Sequence, residues 1–338
     1  MTEPLGIAVV GAGSWGQNLV RNFANARRAR LKYVCDRSEE ILAAQTAAFP
    51  GVQGATDYEV VLSDREIRAV VIATDAPSHF AMAMRALQAG KHVFVEKPLA
   101  LSSADAAALV EAARKAGVKL MVGHLLLHHP AVQAIEGMIR GGDLGRVYYI
   151  YTQRINLGVV RSTENAWWSL APHDVSVICR WYGAVPLQVA AQGQCFLQKG
   201  VEDVVFATLK FADGRMAHVH VSWLDPHKIR KMTIVGSQKM VVFDDMSANE
   251  KIWIYDKGAH VSHSLRDFAD VVSLRVGDIV IPKVASGEPL ALECRHFVDC
   301  VLDDRPPLTD GEDGLRVVKV LEAGQRSLKS GGAAADVE

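Results

Sequence analysis

The chain has 338 residues, of which 49% are apolar, 22% charged and 7% aromatic. This length suffices for two domains with separate cores, and the composition excludes the polar, highly charged class of disordered proteins. Lys and Arg number 37 against 38 Asp and Glu, so no overall positive field exists to attract nucleic acid or an anionic membrane. We therefore expect neither as a partner.

The cysteines and the apolar stretches indicate the cellular compartment. The five cysteines form no C-x-x-C motif, which argues against a disulfide framework and a thiolate zinc site. Residues 1–6 lack a basic region, and the uncharged stretch 120–135 is interrupted by histidines and Pro130. We therefore expect no signal peptide, no membrane span and a cytoplasmic location.

The first third of the chain alternates short apolar runs with helical segments. The apolar runs are residues 7–10, 31–35, 69–72, 92–95 and 120–122. Such alternation is typical of a doubly wound parallel sheet in an α/β domain, which we assign to residues 1–123. Between the last two strands, Ser102 and Asp105 form a capping box that opens an Ala-rich helix ending at Gly117.

A glycine-rich turn follows the first predicted strand. Gly11, Gly13 and Gly16 form G-x-G-x-x-G, with Ser14 and Trp15 completing the turn. The first glycine permits a tight turn, the second lets a pyrophosphate approach the backbone, and the third packs helix on strand. The motif therefore predicts a Rossmann-type dinucleotide site that includes all five residues.

Asp36 lies 20 residues after Gly16, at the end of the second strand. A carboxylate there can accept hydrogen bonds from the adenosine ribose hydroxyls, which predicts NAD as the cofactor. The neighbouring Arg37 could hold a 2′-phosphate, so NADP stays open as an alternative. A bare turn with Asp36 capping a surface loop is the structural alternative. Thr74 and His79, at and beyond the end of the third strand, are predicted to line the nicotinamide side.

The rest of the chain has the pattern of a second, α+β domain. One helix (131–140) is followed by strand-like runs at 147–155, 204–211, 216–223 and 239–243. Strict alternation over 216–223 predicts an open, mainly antiparallel sheet and puts His218 and His220 on one face. Helices are predicted over 290–302 and 311–328. We assign 124–330 to this domain and 331–338 to a flexible tail.

The strand 92–95 continues into Glu96-Lys97-Pro98. This places a lysine at the carboxyl edge of the parallel sheet, where ligands of such sheets bind. Taken alone, a lysine before a proline is more often a solvated loop residue.

Together these motifs resemble the glucose-fructose oxidoreductase and inositol dehydrogenase (Gfo/Idh/MocA) family. Residues 89–92, Glu293-Cys294-x-x-Phe297 and residues 307–314 extend the resemblance over nearly the whole chain. It implies an NAD(P)-dependent oxidoreductase with its substrate between the Rossmann domain and the open sheet. It also implies that Lys97 and a histidine of the second domain act at the reacting carbon. Glu96 is a secondary candidate, and both Glu96 and Lys97 are expected to contact the cofactor.

The resemblance identifies that histidine as His173, in Leu170-Ala171-Pro172-His173-Asp174. We expect Pro172 in the first turn of a helix, whose N-terminus would disfavour imidazolium and leave a neutral base. A helix-capping histidine is the alternative. Asp174 is a secondary candidate, because adjacent helical positions do not face each other. Ser169 occupies a position where many family members carry aspartate, and which of Lys97 and His173 is the base stays open.

The segment before His173 suggests the substrate. Its candidate binding residues, which join Lys97 and His173, are Arg154, Asn156, Arg161, Asn165 and Trp168. Two arginines suit a diphosphate, although Arg154 and Asn156 could instead pair on the surface. The stretch resembles the family branch acting on nucleotide-linked amino sugars, in which UDP-N-acetylglucosamine 3-dehydrogenases make a 3-keto sugar for an aminotransferase. An inositol or free-sugar dehydrogenase and a non-catalytic dinucleotide-binding regulator are the competing hypotheses.

His124 and His128 have the i, i+4 spacing of helical metal ligands. We expect no metal site, because no H-E-x-x-H motif is present and Pro130 argues against a continuous helix. His124 is instead predicted to border the substrate cleft. The resemblance also implies a homo-oligomer, dimer or tetramer, formed through the open sheet.

Overall fold

The computed structural model describes residues 3–262 and 271–338. The chain forms two compact units, Met1–His128 with Gly287–Lys319 and His129–Ser286 with Val320–Glu338. Along the chain the helices are α1 (Gly16–Ala24), α2 (Glu39–Ala48), α3 (Tyr58–Ser63), α4 (Ala76–Gln88), α5 (Ser103–Ala116), the 3₁₀ helix Leu125–His128, α6 (Pro130–Gly141), α7 (Ala166–Tyr182), α8 (Pro289–Leu302) and α9 (Gly311–Lys329).

The first unit contains, within the described residues, a parallel sheet of six strands. These are β1 (Leu5–Val10), β2 (Ala29–Cys35), β3 (Gln53–Ala55), β4 (Ala69–Ile72), β5 (His92–Glu96) and β6 (Leu120–Gly123). Their order is β3-β2-β1-β4-β5-β6. The chain adds β2 and β3 on one side of β1 and then β4, β5 and β6 on the other, so the topological switch point lies between β1 and β4. The predicted doubly wound parallel sheet is confirmed, and its carboxyl edge at this switch point is where such sheets bind nucleotides.

The capping signals of α5 are confirmed. The Ser102 hydroxyl accepts a hydrogen bond from the Asp105 amide at 3.0 Å. At the other end Gly117 adopts φ +66°, a left-handed conformation that glycine takes without steric cost. The start and the end of α5 could be predicted from the sequence because capping involves residues that are close together in the chain.

Helix α8 belongs to the first unit, which corrects the sequence-based assignment of all of 124–330 to the second domain. Phe297 of α8 packs edge-on against Phe23 of α1 and Phe94 of β5, with ring centroids 6.3 and 5.7 Å apart. The spacing of apolar residues in the sequence shows that α8 has an apolar face, but it does not show which sheet that face packs against.

The second unit contains, in the part of the chain that is described, a sheet of nine strands. These are β7 (Val147–Ile155), β8 (Gln188–Gln194), β9 (Val204–Lys210), β10 (Met216–Ser222), β11 (Ile229–Gly236), β12 (Met240–Asp244), β13 (Ile252–Ser262), β14 (Val271–Val280) and β15 (Ala335–Asp336). The order is β14-β13-β12-β11-β7-β10-β9-β8-β15. Only β7 and β10 pair in parallel among these strands, so the predicted mainly antiparallel sheet is confirmed.

The end of the chain differs from the flexible tail predicted over 331–338. Ala335–Asp336 pairs with the edge strand β8, and the Val337 amide donates to the Leu187 carbonyl at 2.9 Å. An edge strand offers unpaired backbone groups to any chain nearby. A two-residue strand without apolar alternation cannot be recognised from sequence.

One face of the second unit's sheet is rich in exposed aromatic side chains. Tyr149 and Tyr151 stack with ring centroids 6.3 Å apart, and Phe206 stacks on His220 at 4.3 Å. Phe206 is 46% exposed. Such a patch marks an interaction surface. We expect a homo-oligomer that covers it, and a monomer in light scattering at micromolar concentration would contradict this.

None of the helices in the described ranges is long and apolar enough to cross a bilayer.

Candidate active site

The glycine-rich turn has the geometry that a pyrophosphate requires. Gly11 adopts φ +85°, and a Cβ there would lie 2.8 Å from the backbone of Ala73 and Thr74. A Cβ on Gly16 would lie 1.9 Å from the Gly11 carbonyl oxygen, so the turn can close only with glycine at both positions. Gly13, by contrast, faces open space. The turn thus leaves room for a ligand at Gly13, before the N-terminus of α1.

Asp36 is fixed at the end of β2 by two backbone donors. Its carboxylate accepts from the Ala12 amide at 2.8 Å and from the Ser38 amide at 3.0 Å. Each carboxylate oxygen keeps a second lone pair, so the group can still accept from ribose hydroxyls. The exposed Arg37 lies beside it.

A cleft of about 560 Å³ lies at this edge of the sheet, within the size range of small-molecule sites. Its lining includes Gly11, Gly13, Asp36, Arg37 and Thr74. The open face at Gly13 and the oriented Asp36 carboxylate fit a nicotinamide dinucleotide, NAD or NADP, which supplies a hydride acceptor when bound. These residues would hold its pyrophosphate and its adenosine ribose.

Glu96 connects the glycine-rich turn with the lysine at the end of β5. The Trp15 indole donates to Glu96 Oε1 at 2.7 Å, and the Lys97 amide donates to Glu96 Oε2 at 3.3 Å. Glu96 is buried, whereas Lys97 is half-buried. Burial raises the pKa of Glu96, and the Trp15 hydrogen bond and the Lys97 charge partly offset this increase. Glu96 therefore positions the turn and the lysine.

Thr74 and His79 have different roles, which corrects the prediction that both line the nicotinamide side. Thr74 lines the cleft. His79 is buried, and its ring nitrogens lie 2.8 Å from the Pro98 carbonyl and 3.2 Å from the Thr74 carbonyl. Burial lowers the pKa of His79. His79 thus connects the segment after β4 to the segment that follows Lys97, and it holds these two segments together beneath the cleft surface.

His124 is also an interior residue rather than one that borders a cleft. Its side chain is 1% exposed, and its Nδ1 lies 2.8 Å from Asp313 Oδ2. In the described residues no group of three His, Cys, Asp or Glu side chains could hold a metal ion.

His173 lies in the middle of α7, and this corrects the prediction for its helix. Asn165 caps α7 by accepting from the Trp168 amide at 3.1 Å, so Pro172 is inside the helix and not in its first turn. The argument that a helix N-terminus keeps His173 neutral therefore fails, since the dipole effect fades beyond one turn. His173 itself is half-buried.

Arg154 is committed to a buried ion pair with Asp174. Its Nε lies 3.1 Å from Asp174 Oδ2 and its Nη2 lies 2.9 Å from Oδ1. Burial raises the pKa of Asp174, and Arg154 partly offsets this rise. This corrects the prediction that Arg154 binds a diphosphate, because the pair uses its planar donor edge. The pair instead anchors α7 to β7 beside His173.

The amide and the indole at the start of α7 are structural as well, contrary to the prediction of substrate contacts. The Asn165 amide donates to Glu202 at 2.6 Å and to Gln325 at 2.9 Å. The Trp168 indole donates to the same Gln325 oxygen at 3.1 Å. Of the predicted set, Asn156 is half-buried and Arg161 is 54% exposed with Glu164 at 3.2 Å.

Arg230 is a candidate that sequence reasoning missed. It stands directly opposite Arg154 in the β7–β11 pairing, on the face that carries the buried Met232 and Ile234. Its guanidinium approaches Asp245 only to 3.9 Å and makes no hydrogen bond within residues 3–262 and 271–338. The sequence did contain an indication of this position, because Arg230 falls on the same side of the strand as the apolar residues Met232 and Ile234. It presents an unused bidentate donor near the Arg154–Asp174 pair.

Two family models match the two parts of the chain. Residues 5–124 match the oxidoreductase family with an NAD-binding Rossmann fold, and residues 132–242 match the Gfo/Idh/MocA C-terminal domain. The chain belongs to the Gfo/Idh/MocA family. It is therefore an NAD(P)-dependent oxidoreductase, as the resemblance implied.

Curated relatives in this family carry several names. The UDP-N-acetylglucosamine 3-dehydrogenase of Acidithiobacillus ferrooxidans is 27% identical over 92% of this chain and 93% of its own length. The D-apiose dehydrogenase of Paraburkholderia graminis is 26% identical over 96% and 88%. The crystal structure of GenD2 from gentamicin A biosynthesis, in complex with NAD, aligns with TM-score 0.83 and 26% identity, covering 100% of this chain and 97% of that one.

Proposed function

We propose that this family member oxidises a secondary alcohol of a nucleotide sugar with NAD, and that the substrate is UDP-N-acetylglucosamine, oxidised at C3. The observation that supports an anionic substrate is the state of Arg230. Its guanidinium is half-buried and has no hydrogen-bond partner among the described residues. A diphosphate satisfies such a donor, whereas a neutral polyol does not need it. The similarity to a UDP-N-acetylglucosamine 3-dehydrogenase over nearly the whole chain supports the choice.

The proposed reaction removes a hydride from C3 and a proton from its hydroxyl, which leaves a ketone. His173 receives the proton as general base. Lys97 orients the hydroxyl and stabilises its developing negative charge. The 3-keto product is a substrate for transamination, so we propose coupling to an aminotransferase.

Isotope transfer tests the assignment of C3. The enzyme is incubated with NAD, UDP-N-acetylglucosamine deuterated at C3 and a carbonyl reagent that removes the ketone. We expect NADH that carries deuterium at nicotinamide C4. Label arriving only from substrate deuterated at C4 or C6 would refute the C3 assignment while leaving a nucleotide-sugar dehydrogenase in place.

The same assay tests Arg230. Arg230→Gln is expected to raise the KM for UDP-N-acetylglucosamine about tenfold or more while kcat changes little, because binding to the remote diphosphate is lost equally from ground and transition states. Lys231→Gln, at the next position of the same strand, is the matched control and should leave KM unchanged. Equal effects of the two variants would contradict a diphosphate contact.

A dehydrogenase for inositol or a free sugar is the second candidate. It is favoured by the burial of Arg154 in its pair with Asp174, which removes one of the two arginines predicted for a diphosphate. Relatives named D-apiose dehydrogenase and scyllo-inositol 2-dehydrogenase fit it too. Turnover of a free polyol, with no reaction of any nucleotide sugar, would establish this candidate.

We propose NAD rather than NADP because the fixed Asp36 carboxylate would repel a 2′-phosphate. NADH should bind about tenfold or more tightly than NADPH, and Asp36→Ala should narrow this gap. The dissociation constants of both cofactors, measured by fluorescence titration, check the prediction. Arg37→Gln is the control, and tighter NADPH binding by the wild type would mean that Arg37 dominates.

A further inference from the structure

The first unit contains a buried cluster of acids and imidazoles close to Lys97. It consists of Glu96 at the end of β5, His124 after β6, His128 at the end of the 3₁₀ helix, and Glu293 on α8. Glu96 pairs with Gly123 across β5 and β6, and Glu293 Oε1 lies 4.0 Å from His128 Nε2. Glu293 is fully buried, and Glu96 is 7% exposed. A Cβ on Gly123, the residue before His124, would lie 3.0 Å from the Glu96 carboxyl group, so this side is tightly packed.

Hydrogen-bond donors are unequally distributed within this cluster. Glu96 accepts from the Trp15 indole and the Lys97 amide. In contrast, neither oxygen of Glu293 has a hydrogen-bond partner among the described residues, and the same is true of Nε2 of His124 and Nε2 of His128. Orphaned buried polar atoms are rare and require an explanation.

The two carboxyl groups cannot both be ionised in this buried environment. Each would lose its hydration, and their charges would repel. The negative charge is favoured on Glu96, which has two donors and the neighbouring Lys97 ammonium. The proton is then left to Glu293, whose pKa is raised well above its usual value by burial and by the charge of Glu96.

An ion pair between Glu293 and His128 does not provide an alternative. Their closest atoms, Glu293 Oε1 and His128 Nε2, are 4.0 Å apart, which is too long for a hydrogen bond. Burial lowers the pKa of His128 to about 3, so its imidazole is neutral. A gap of this length between two buried polar atoms suits a bridging water molecule.

The other titratable groups around α8 do not change this balance. Burial raises the pKa of Cys294 well above its usual value and lowers that of His296. Several charged groups on and around α8 are already paired, namely Asp313 with His124 and Arg316, Arg21 with Glu288, and Arg28 with Asp299 and Asp303.

We propose that Glu293 is a positioning residue that acts as a buried neutral acid. By carrying the proton of the cluster, it leaves the negative charge on Glu96, which holds Trp15 of the NAD-binding turn and faces Lys97. An ionised Glu293 would drive the proton onto Glu96 and weaken its hydrogen bond to Trp15. The effect on catalysis rests on the proposed role of Lys97, whereas the protonation of Glu293 does not.

Infrared spectroscopy of the protein labelled with ¹³C-glutamate tests the protonation directly. At about pH 7.5 the wild type should show the carbonyl stretch of a protonated carboxylic acid, since the folded protein keeps this proton. The band should disappear in Glu293→Gln and persist in Glu288→Gln, a control at an exposed position just before the same helix. Absence of the band in the wild type, or its loss in Glu96→Gln but not in Glu293→Gln, would overturn the proposal.

The pH dependence of stability gives a second readout that needs no substrate. A folded-state pKa above the unfolded value means that stability is lost as pH rises toward the folded pKa. Glu293→Gln has no such proton to lose, so its Tm relative to the wild type should rise between about pH 5 and about pH 8. A constant difference in Tm would contradict the proposal.

Turnover then tests the positioning role. Glu293→Met, which has similar size but cannot donate a hydrogen bond, should lower kcat about tenfold, and Glu293→Gln should recover most of that loss. If both variants lose activity equally although the infrared band is assigned to Glu293, the proton is present but its positioning role is refuted. Inactivity of the wild type on nucleotide sugars would instead count against the proposed function alone.

Discussion

Replacing Lys97 with Met, or His173 with Asn, is expected to lower kcat by about two to four orders of magnitude. Each variant removes a group that we propose handles the proton or the developing charge of the reacting hydroxyl. NAD affinity should change little, since the cleft at the glycine-rich turn is lined by other residues. Steady-state kinetics with the preferred substrate, together with NADH titration, measure both quantities.

The pH dependence of kcat separates the two roles. If His173 is the base, the acidic limb of the wild-type profile should be lost in His173→Asn and kept in Lys97→Met. The reverse result would exchange the roles. Turnover near the wild-type level in either variant would remove that residue from the mechanism and strengthen the hypothesis of a non-catalytic dinucleotide-binding regulator.

Removal of the Asp174 carboxylate is expected to destabilise the protein by about 3–5 kcal/mol. Asp174→Ala leaves the Arg154 guanidinium buried without its partner, and a lone buried charge has lost hydration without compensation. Denaturant unfolding followed by circular dichroism measures the change. Asp174 is therefore expected to be important for stability, although the sequence made it only a secondary candidate for catalysis.

Two controls separate the buried charge from the loss of packing. The double variant Arg154→Met with Asp174→Leu removes both charges and should be markedly more stable than Asp174→Ala. The surface pair of Arg114 and Glu111 is the matched exposed case, and Glu111→Gln should leave the free energy of unfolding almost unchanged. If Asp174→Ala were as mild as Glu111→Gln, the ion pair would not anchor α7.

Much of the nucleotide site could be predicted from sequence because its determinants are local. Gly11 and Gly16 are required by backbone conformation and close packing within one strand, turn and helix. Asp36 and Lys97 each follow a buried strand, and the carboxyl ends of parallel strands meet at one edge of the sheet. Local capping likewise identified α5.

The substrate-binding residues of the second unit could not be assigned in this way, because their hydrogen-bond partners are distant in sequence. Arg154 pairs with Asp174 rather than with a ligand. Arg230 is placed opposite Arg154 by the register of β7 and β11, and register depends on the whole sheet.

The sequence by itself therefore determined the fold class, the cofactor-binding turn and the position of Lys97, all of which depend on backbone geometry and on the periodicity of neighbouring residues. Only the tertiary structure decided which polar side chains are already satisfied. Asn165 and Trp168 share Gln325, which lies more than 150 residues away. Glu293 lies beside His128 because α8, although distant in sequence, belongs to the first unit. A side chain's freedom to bind a ligand depends on such distant partners, and no local pattern encodes them.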